Sequence, residues 1–281
     1  MGTASDIPDF TVHRSELPDR GLSLGYWREG VGGLPLLLVH GYPETKRIWA
    51  RNVEPLVAAG FEVIVPDLRG YGDSDLAPDG HYDPACYGRD LQTLCQDVLG
   101  HEWIVAAGGD VGGAVLSDLS ARFPGYVRRQ AIFNTIAPML AGDAYDGIPS
   151  EQAPFPMRDY FEEQGADADA LMAELATPDL RRRYVFGMYA HRLWGAPGGF
   201  TRDEIHWHTE PFADADKLRA AMGVYELSTG KRPISELPAG FDPNPTDTLI
   251  LYGPEDHVVG PSFVDRMQVA FPNHRGPFHV P

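Results

Sequence analysis

The sequence predicts an α/β protein: a mostly parallel central sheet with helices on both faces and a helical segment inserted late in the chain. Three observations carry that expectation. Over the first half, short apolar runs bounded by Gly and Pro alternate with stretches of helical periodicity. Strand and helix alternating at that length build a parallel sheet through crossover helices. Between residues 139 and 240 the pattern breaks, with frequent Pro, Gly and acidic residues and no buried strand, and then the strand–helix alternation resumes.

The elements follow in order. "FTVHRSEL" and "LSLGYWREG" read as an antiparallel hairpin at the sheet edge. "PLLLVH" (35–40) and "FEVIVPDL" (61–68) read as buried strands. Between them "IWARNVEPLVAAG" (48–60) has helical periodicity and a terminal glycine. A helix over 86–100, a strand over 101–109, a helix over 112–124 and a strand over 128–138 continue the alternation. Inside the insertion, "ADADALMAELATPDLRRRYVFGMYAHRLW" is helical. "PTDTLILYGPED" (245–256) is the next strand, "PSFVDRMQVAF" (261–271) its helix, and "RGPFHVP" a last strand. The expected division is a core of residues 1–138 and 241–281 with a helical cap at 139–240. There is no internal repeat.

Charge and composition narrow the function. A formal net charge of −17 over 281 residues argues against nucleic acid or an anionic membrane as partner, since both need a basic surface. The N-terminus lacks the basic and apolar regions of a secretory signal, and no run of eighteen apolar residues occurs. A cytoplasmic protein is the expectation. Cys86 and Cys95 match no metal spacing and suggest no disulfide framework. His206 and His208, two apart on a helix, point in different directions and lack a third ligand, so neither metal nor cofactor is expected.

Three motifs carry chemistry. "AAGGDVGGAV" (106–115) places Asp110 where an apolar strand meets a helix, with the glycine spacing of a G-x-S-x-G elbow and an aspartate in the serine position. The helix starting there offers unpaired N–H groups to a carboxylate; the alternative is an N-cap aspartate on a structural turn. "VHGYPE" (39–44) follows a central strand and can aim a backbone N–H at the same point. The other N–H of such an oxyanion hole belongs to Val111, leaving Tyr42 as its partner. "LYGPEDHVV" (251–259) puts Asp256 at the carboxyl end of a strand, where open α/β sheets build their sites and where it could orient a histidine.

Taken together, "HGYPE", "DLRGYGDSD" (67–75), "GGDVGG" and "YGPEDHVV" resemble the α/β-hydrolase family in order and separation, and within it the branch with an aspartate nucleophile. That branch holds epoxide hydrolases and haloalkane dehalogenases. The resemblance implies an alkyl-enzyme ester on Asp110, hydrolysed by water, with no cofactor. Val111 offers no indole N–H to a departing halide, no arginine follows the nucleophile, and Tyr42-Pro43 looks like the H-G-x-P of epoxide hydrolases. The expected substrates are therefore an epoxide and water, with a haloalkane as the alternative and a non-catalytic small-molecule binder as a reading of another class. Gly109, where many relatives carry histidine, keeps the binder reading open.

Epoxide opening needs an acid for the ring oxygen, which the resemblance assigns to phenols of the cap. "MGVYELSTG" (222–230) offers Tyr225. "MRDYFEEQG" (157–165) offers Tyr160, although a gapless alignment puts Met157 there instead. Trp194 is expected to pack in the cap and line the pocket. "DLRGYGDSD" is expected to shape its loop. The family's water-activating histidine falls roughly thirty residues past Asp256, which is beyond Pro281. His279 would sit within the last strand and His274 before it, both too early. This sequence therefore supplies a nucleophile and an acid without a matching histidine, and an ester formed on it is expected to persist.

Overall fold

The computed structural model describes residues 8, 10–149, 159–193 and 198–280. Met157 and Trp194 lie outside the described residues. The hairpin forms from β1 (His13–Glu16) and β2 (Ser23–Glu29). The alternation then runs β3 (Leu34–Val39), α1 (Ala50–Ala58), β4 (Phe61–Pro66), α2 (Pro84–Gln92), β5 (Ile104–Gly109), α3 (Asp110–Arg122) and β6 (Val127–Phe133). Among the described residues, six α-helices lie between β6 and the next strand: α4 (Asp159–Ala166), α5 (Ala168–Glu174), α6 (Pro178–Gly187), α7 (Arg202–Thr209), α8 (Ala215–Ala221) and α9 (Gly223–Ser228). Then come β7 (Asp247–Tyr252), α10 (Ser262–Ala270) and β8 (His274–His279).

The eight strands form one sheet in the order β1-β2-β4-β3-β5-β6-β7-β8. β2 pairs antiparallel with β1 and β4, and every later pair is parallel. From β3 the chain goes to β4 on one side and returns to β5 on the other. In an open α/β sheet such a reversal leaves a crevice outside the strands' carboxyl ends. The loop after β3 and the β5–α3 junction both end there.

Apolar residues bury both faces where helices cover the sheet. On one face Leu36, Leu38, Val63 and Val65 meet Ala50 and Val53 of α1. On the other, Leu37, Ile64, Ile104 and Ile132 meet Leu91, Val115, Leu116 and Leu119 of α2 and α3.

Several elements depart from expectation at their boundaries. β6 stops at Phe133 rather than running to 138, because Asn134 takes φ +35 and leaves the extended conformation a strand needs. The helix over 86–100 divides into α2 and a wider π turn at Thr93–Val98. The long helix in the insertion breaks into α5 and α6 at Thr177, whose side chain caps Leu180 N–H ahead of Pro178. His274 is the first residue of β8, not upstream of it.

"DLRGYGDSD" shapes a loop, as expected. Asp67 accepts from the backbone and ammonium of buried Lys46 (2.7 and 2.5 Å) and from Asp73 N–H (2.8 Å). The Lys46 ammonium holds Asp67 below the usual carboxylate range against the opposing effect of burial. Arg69, fully buried, forks onto Asp90 at 2.5 and 2.7 Å.

Candidate active site

The β5–α3 junction is a sharp turn with a cost. Asp110 adopts φ +49, a left-handed conformation that typically costs about 1–3 kcal/mol outside glycine and concentrates at functional sites. Its N–H donates to Asn134 O (2.9 Å), and Thr135 Oγ1 donates to its carbonyl. Two glycines let the chain close around it. A Cβ on Gly112 would lie 2.7 Å from His40 O, so the first turn of α3 presses on the end of β3. A Cβ on Gly41 would lie 2.6 Å from Asp110 Cβ.

That close approach lets Tyr42 N–H donate to Asp110 Oδ1 at 2.7 Å. Burial pushes the Asp110 carboxyl up to about 6; the Tyr42 and Val111 amides oppose the rise and the Asp256 charge adds to it. Asp110 is thus an anion at neutral pH, short of water and held by two amides. This makes it a better nucleophile than a solvated carboxylate. Gly41→Ala is expected to lower the melting temperature, as overpacking costs about 1–3 kcal/mol. It should also slow any reaction of Asp110 by about 100-fold, since an ångström of misplacement suffices for that. Thermal melts and single-turnover rates check both.

Glu44 is a site residue that sequence reasoning did not single out. Gly41 N–H donates to its Oε2 at 2.7 Å, so consecutive amides of one loop hold two different carboxyls. Burial first, and the Asp110 charge second, push Glu44 up to about 8. It carries a proton at neutral pH while Asp110 does not. The motif "HGYPE" displayed this residue, but its closeness to Asp110 depends on the fold.

Three phenols cluster at the Tyr42 loop. The Tyr42 ring stands edge-on to Tyr225 (4.9 Å between centroids) and stacks with Tyr160 (6.2 Å). Tyr160 and Tyr225 meet at 5.5 Å. Tyr160 therefore joins the cluster despite its poor alignment, because α4 and α9 pack together and bring one tyrosine from each. Burial, Tyr160 and the Asp110 charge raise Tyr225 well above the usual phenol range. It stays a hydrogen-bond donor across the working pH range.

Asp256 sits at the end of β7 with its carboxylate committed. Oδ1 accepts from Val258 and Val259 N–H (2.6 and 2.8 Å), and Oδ2 from Asn134 Nδ2 (2.7 Å). Asn134, whose side chain also takes Gly253 N–H (2.8 Å), ties β6 to this loop. No motif around position 134 pointed to this role. Among the described residues no histidine ring hydrogen-bonds Asp110 or Asp256. His257 faces Arg192 O at 3.3 Å, His274 lies 2.8 Å from Phe271 O, and His279 packs on Tyr252. His40 has both ring nitrogens engaged, one accepting Leu68 N–H (3.0 Å) and the other 2.9 Å from Gly41 O.

His206 and His208 part company as their spacing required. His206 lies against Phe186, whereas His208 is buried, stacks on Tyr189 and is pushed down to about 4 by burial. Among the described residues no group of three His, Cys, Asp or Glu is placed to hold a metal. Nor is any described helix long and apolar enough to cross a membrane. A side chain at position 109 would collide with the Phe133 ring. The space beside the elbow is filled by that ring rather than by a residue at 109.

A doubly flanked parallel sheet with a strained carboxylate elbow at its switch point defines a class of hydrolase fold. Residues 35–276 match the alpha/beta hydrolase fold family, and the chain belongs to it. A soluble epoxide hydrolase of Corynebacterium sp. (strain C12) is 34% identical over 138 residues, 49% of this chain and 46% of that protein. The match thus spans less than half the length of that relative. A haloalkane dehalogenase of Bradyrhizobium diazoefficiens is 28% identical over 264 residues, covering 89% of this chain and 81% of that one. The solved structure of epoxide hydrolase CorEH without ligand superposes with a TM-score of 0.74 at 25% identity, covering 95% of this chain and 89% of that one.

Proposed function

We propose that the protein opens epoxides to vicinal diols through an ester on Asp110. The observation that carries this reading is the pair of phenols, Tyr160 and Tyr225, gathered on the ring of Tyr42, whose own amide holds the Asp110 carboxylate. A carboxylate nucleophile with O–H donors opposite suits a substrate whose leaving group is an oxygen that stays attached. Asp110 attacks one epoxide carbon, and the C–O bond breaks. The developing alkoxide takes hydrogen bonds from the phenols. Water then adds to the ester carbonyl, and the oxyanion that forms rests against the Tyr42 and Val111 amides. Asp256, with Asn134, braces the floor of the site from β7. The helices within 139–240 act as the cap that closes over Asp110 and supplies both phenols. The relatives named as epoxide hydrolases support the same chemistry.

The reading has a pH consequence. The nucleophile must be ionised, and its carboxyl ionises only above about 6. Ester formation is therefore expected to rise about tenfold per pH unit below 6 and to level off above it. Single-turnover alkylation between pH 4.5 and 8 with an aryl or alkyl epoxide checks this. A rate flat through pH 6, or one that falls there, would remove Asp110 as the ionised nucleophile.

A further inference from the structure

The loop after β4 opens with "DLRGYGDSD" and runs on to Tyr82, and the chemistry proposed above leaves it without a part. This loop meets the segment that carries Tyr225. A Cβ on Gly70 would lie 2.8 Å from Ala220 Cβ and 2.6 Å from Tyr82 Cε1. A Cβ on Gly223, the first residue of α9, would lie 2.8 Å from Tyr82 Cβ and 3.0 Å from its Cδ2. Tyr71 O–H donates to Ala221 O at 3.4 Å. Gly70 takes φ +82, so one glycine serves both the turn of the loop and its close approach to α8.

The Tyr82 side chain, buried, is thus a wedge between Gly70 of the core loop and Gly223 of α9. The ring is tethered. Its hydroxyl accepts Ala77 N–H at 3.1 Å, and the Arg232 guanidinium stands 5.3 Å from its centroid. That guanidinium also donates to Glu226 Oε2 (2.9 Å) and to Gly80 O, which joins α9 to the loop beside the wedge. From the cap, α4 grips the same helix. A Cβ on Gly165 would lie 2.6 Å from Tyr225 O, and Thr229 Oγ1 donates to Gly165 O at 2.6 Å. Glycine is a poor helix former, yet Gly223 opens α9 because a larger residue there would strike Tyr82.

We infer that Tyr82 is a positioning residue for the reaction: by filling the space between Gly70 and Gly223 it sets where α9 sits, and so where the Tyr225 hydroxyl points. This rests on the epoxide-opening reading, in which that hydroxyl donates to the developing alkoxide. Tyr82 itself acts only through Tyr225. Packed interiors hold few voids, so removing the ring lets α9 settle toward the hole it leaves. A displacement of about an ångström at the hydroxyl is enough to spoil a hydrogen bond made in the transition state. The nucleophile lies on another element, held by the Tyr42 amide and by Asn134 O, and keeps its place.

The test follows ester formation by intact-mass spectrometry in single turnovers with styrene oxide. It compares wild type, Tyr82→Leu and Tyr82→Phe, each alone and combined with Tyr225→Phe. Tyr82→Leu is expected to slow ester formation roughly tenfold, about as much as Tyr225→Phe does. Tyr82→Phe keeps the wedge and loses only the bond from Ala77, so it should recover most of that loss. In the Tyr225→Phe background, Tyr82→Leu should change the rate less than about twofold, because no hydroxyl remains there to be misplaced. Decay of the ester should match wild type throughout. Losses that add fully in the Tyr225→Phe background overturn the inference, since Tyr82 would then act on the site by another route. An unaltered rate in Tyr82→Leu overturns it, as does a Phe variant as slow as the Leu variant. Should Tyr82→Leu fail to fold, Gly223→Ala, which presses on the same ring from α9, takes its place in the same comparison. If wild type forms the ester and Tyr225→Phe forms it equally fast, this inference falls while Asp110 stands as nucleophile. If wild type forms neither ester nor diol, the epoxide-opening reading falls and this inference with it.

Discussion

Asp110→Asn is expected to abolish ester formation, with a loss on the order of 10⁴-fold or more in single-turnover rate. The amide keeps the size of the carboxylate and can still accept Tyr42 N–H, but it is not a nucleophile at neutral pH. The same substitution should raise the melting temperature at pH 7 to 8. The sign follows from the direction of the shift. A carboxyl whose ionisation is pushed up by folding costs stability in its charged form, and that cost is present above about 6. The strained φ of +49 remains, since asparagine tolerates the left-handed region as well as aspartate does. Loss of reactivity together with a gain in stability marks a residue kept for chemistry. A loss of both would mark a structural cap.

The second large effect belongs to the phenols. Replacing Tyr160 and Tyr225 together by phenylalanine is expected to slow ester formation by 10²- to 10⁴-fold. Ester hydrolysis should change little, because the phenols serve the alkoxide of the first half and not the water of the second. Each single variant should lose less than half of the double effect on a logarithmic scale, because the remaining O–H can take up the oxygen alone. The rings pack within 4.9–6.2 Å of Tyr42 and keep that contact as phenylalanines, so thermal melts should stay close to wild type. Equal losses in both half-reactions would make these residues walls of the pocket rather than donors.

How much of this could be read in the residues depends on how local each signal is. The strands around "PLLLVH" and "FEVIVPDL" declared themselves by composition, because a strand buried on both faces is apolar throughout. Asp110 was legible because a strand, a tight turn and a helix each leave a local mark, and Gly112, one of the glycines needed for close approach, stands beside it in the motif. Tyr160 was legible only as a poorly aligned candidate, since its place in the cluster depends on how α4 packs on α9, and Tyr225 lies 65 residues further along the chain. Glu44 and Asn134 were hidden for the same reason. Glu44 matters through a carboxylate 66 residues away that repels it, and Asn134 through a hydrogen bond to Asp256 across 122 residues. Boundaries failed where one backbone angle decided them, as at Asn134.

The central claim is that Asp110 forms a covalent ester, and oxygen labelling in a single turnover tests it most directly. With enzyme in excess over styrene oxide in ¹⁸O-water, water adds to the ester carbonyl, so the label should appear in the Asp110 carboxylate and be absent from the first diol released. Digestion and mass spectrometry of the peptide spanning residues 106–115 locate it. A first-turnover diol that carries the label, with Asp110 unlabelled, would mean that water attacks the epoxide directly and would contradict the account.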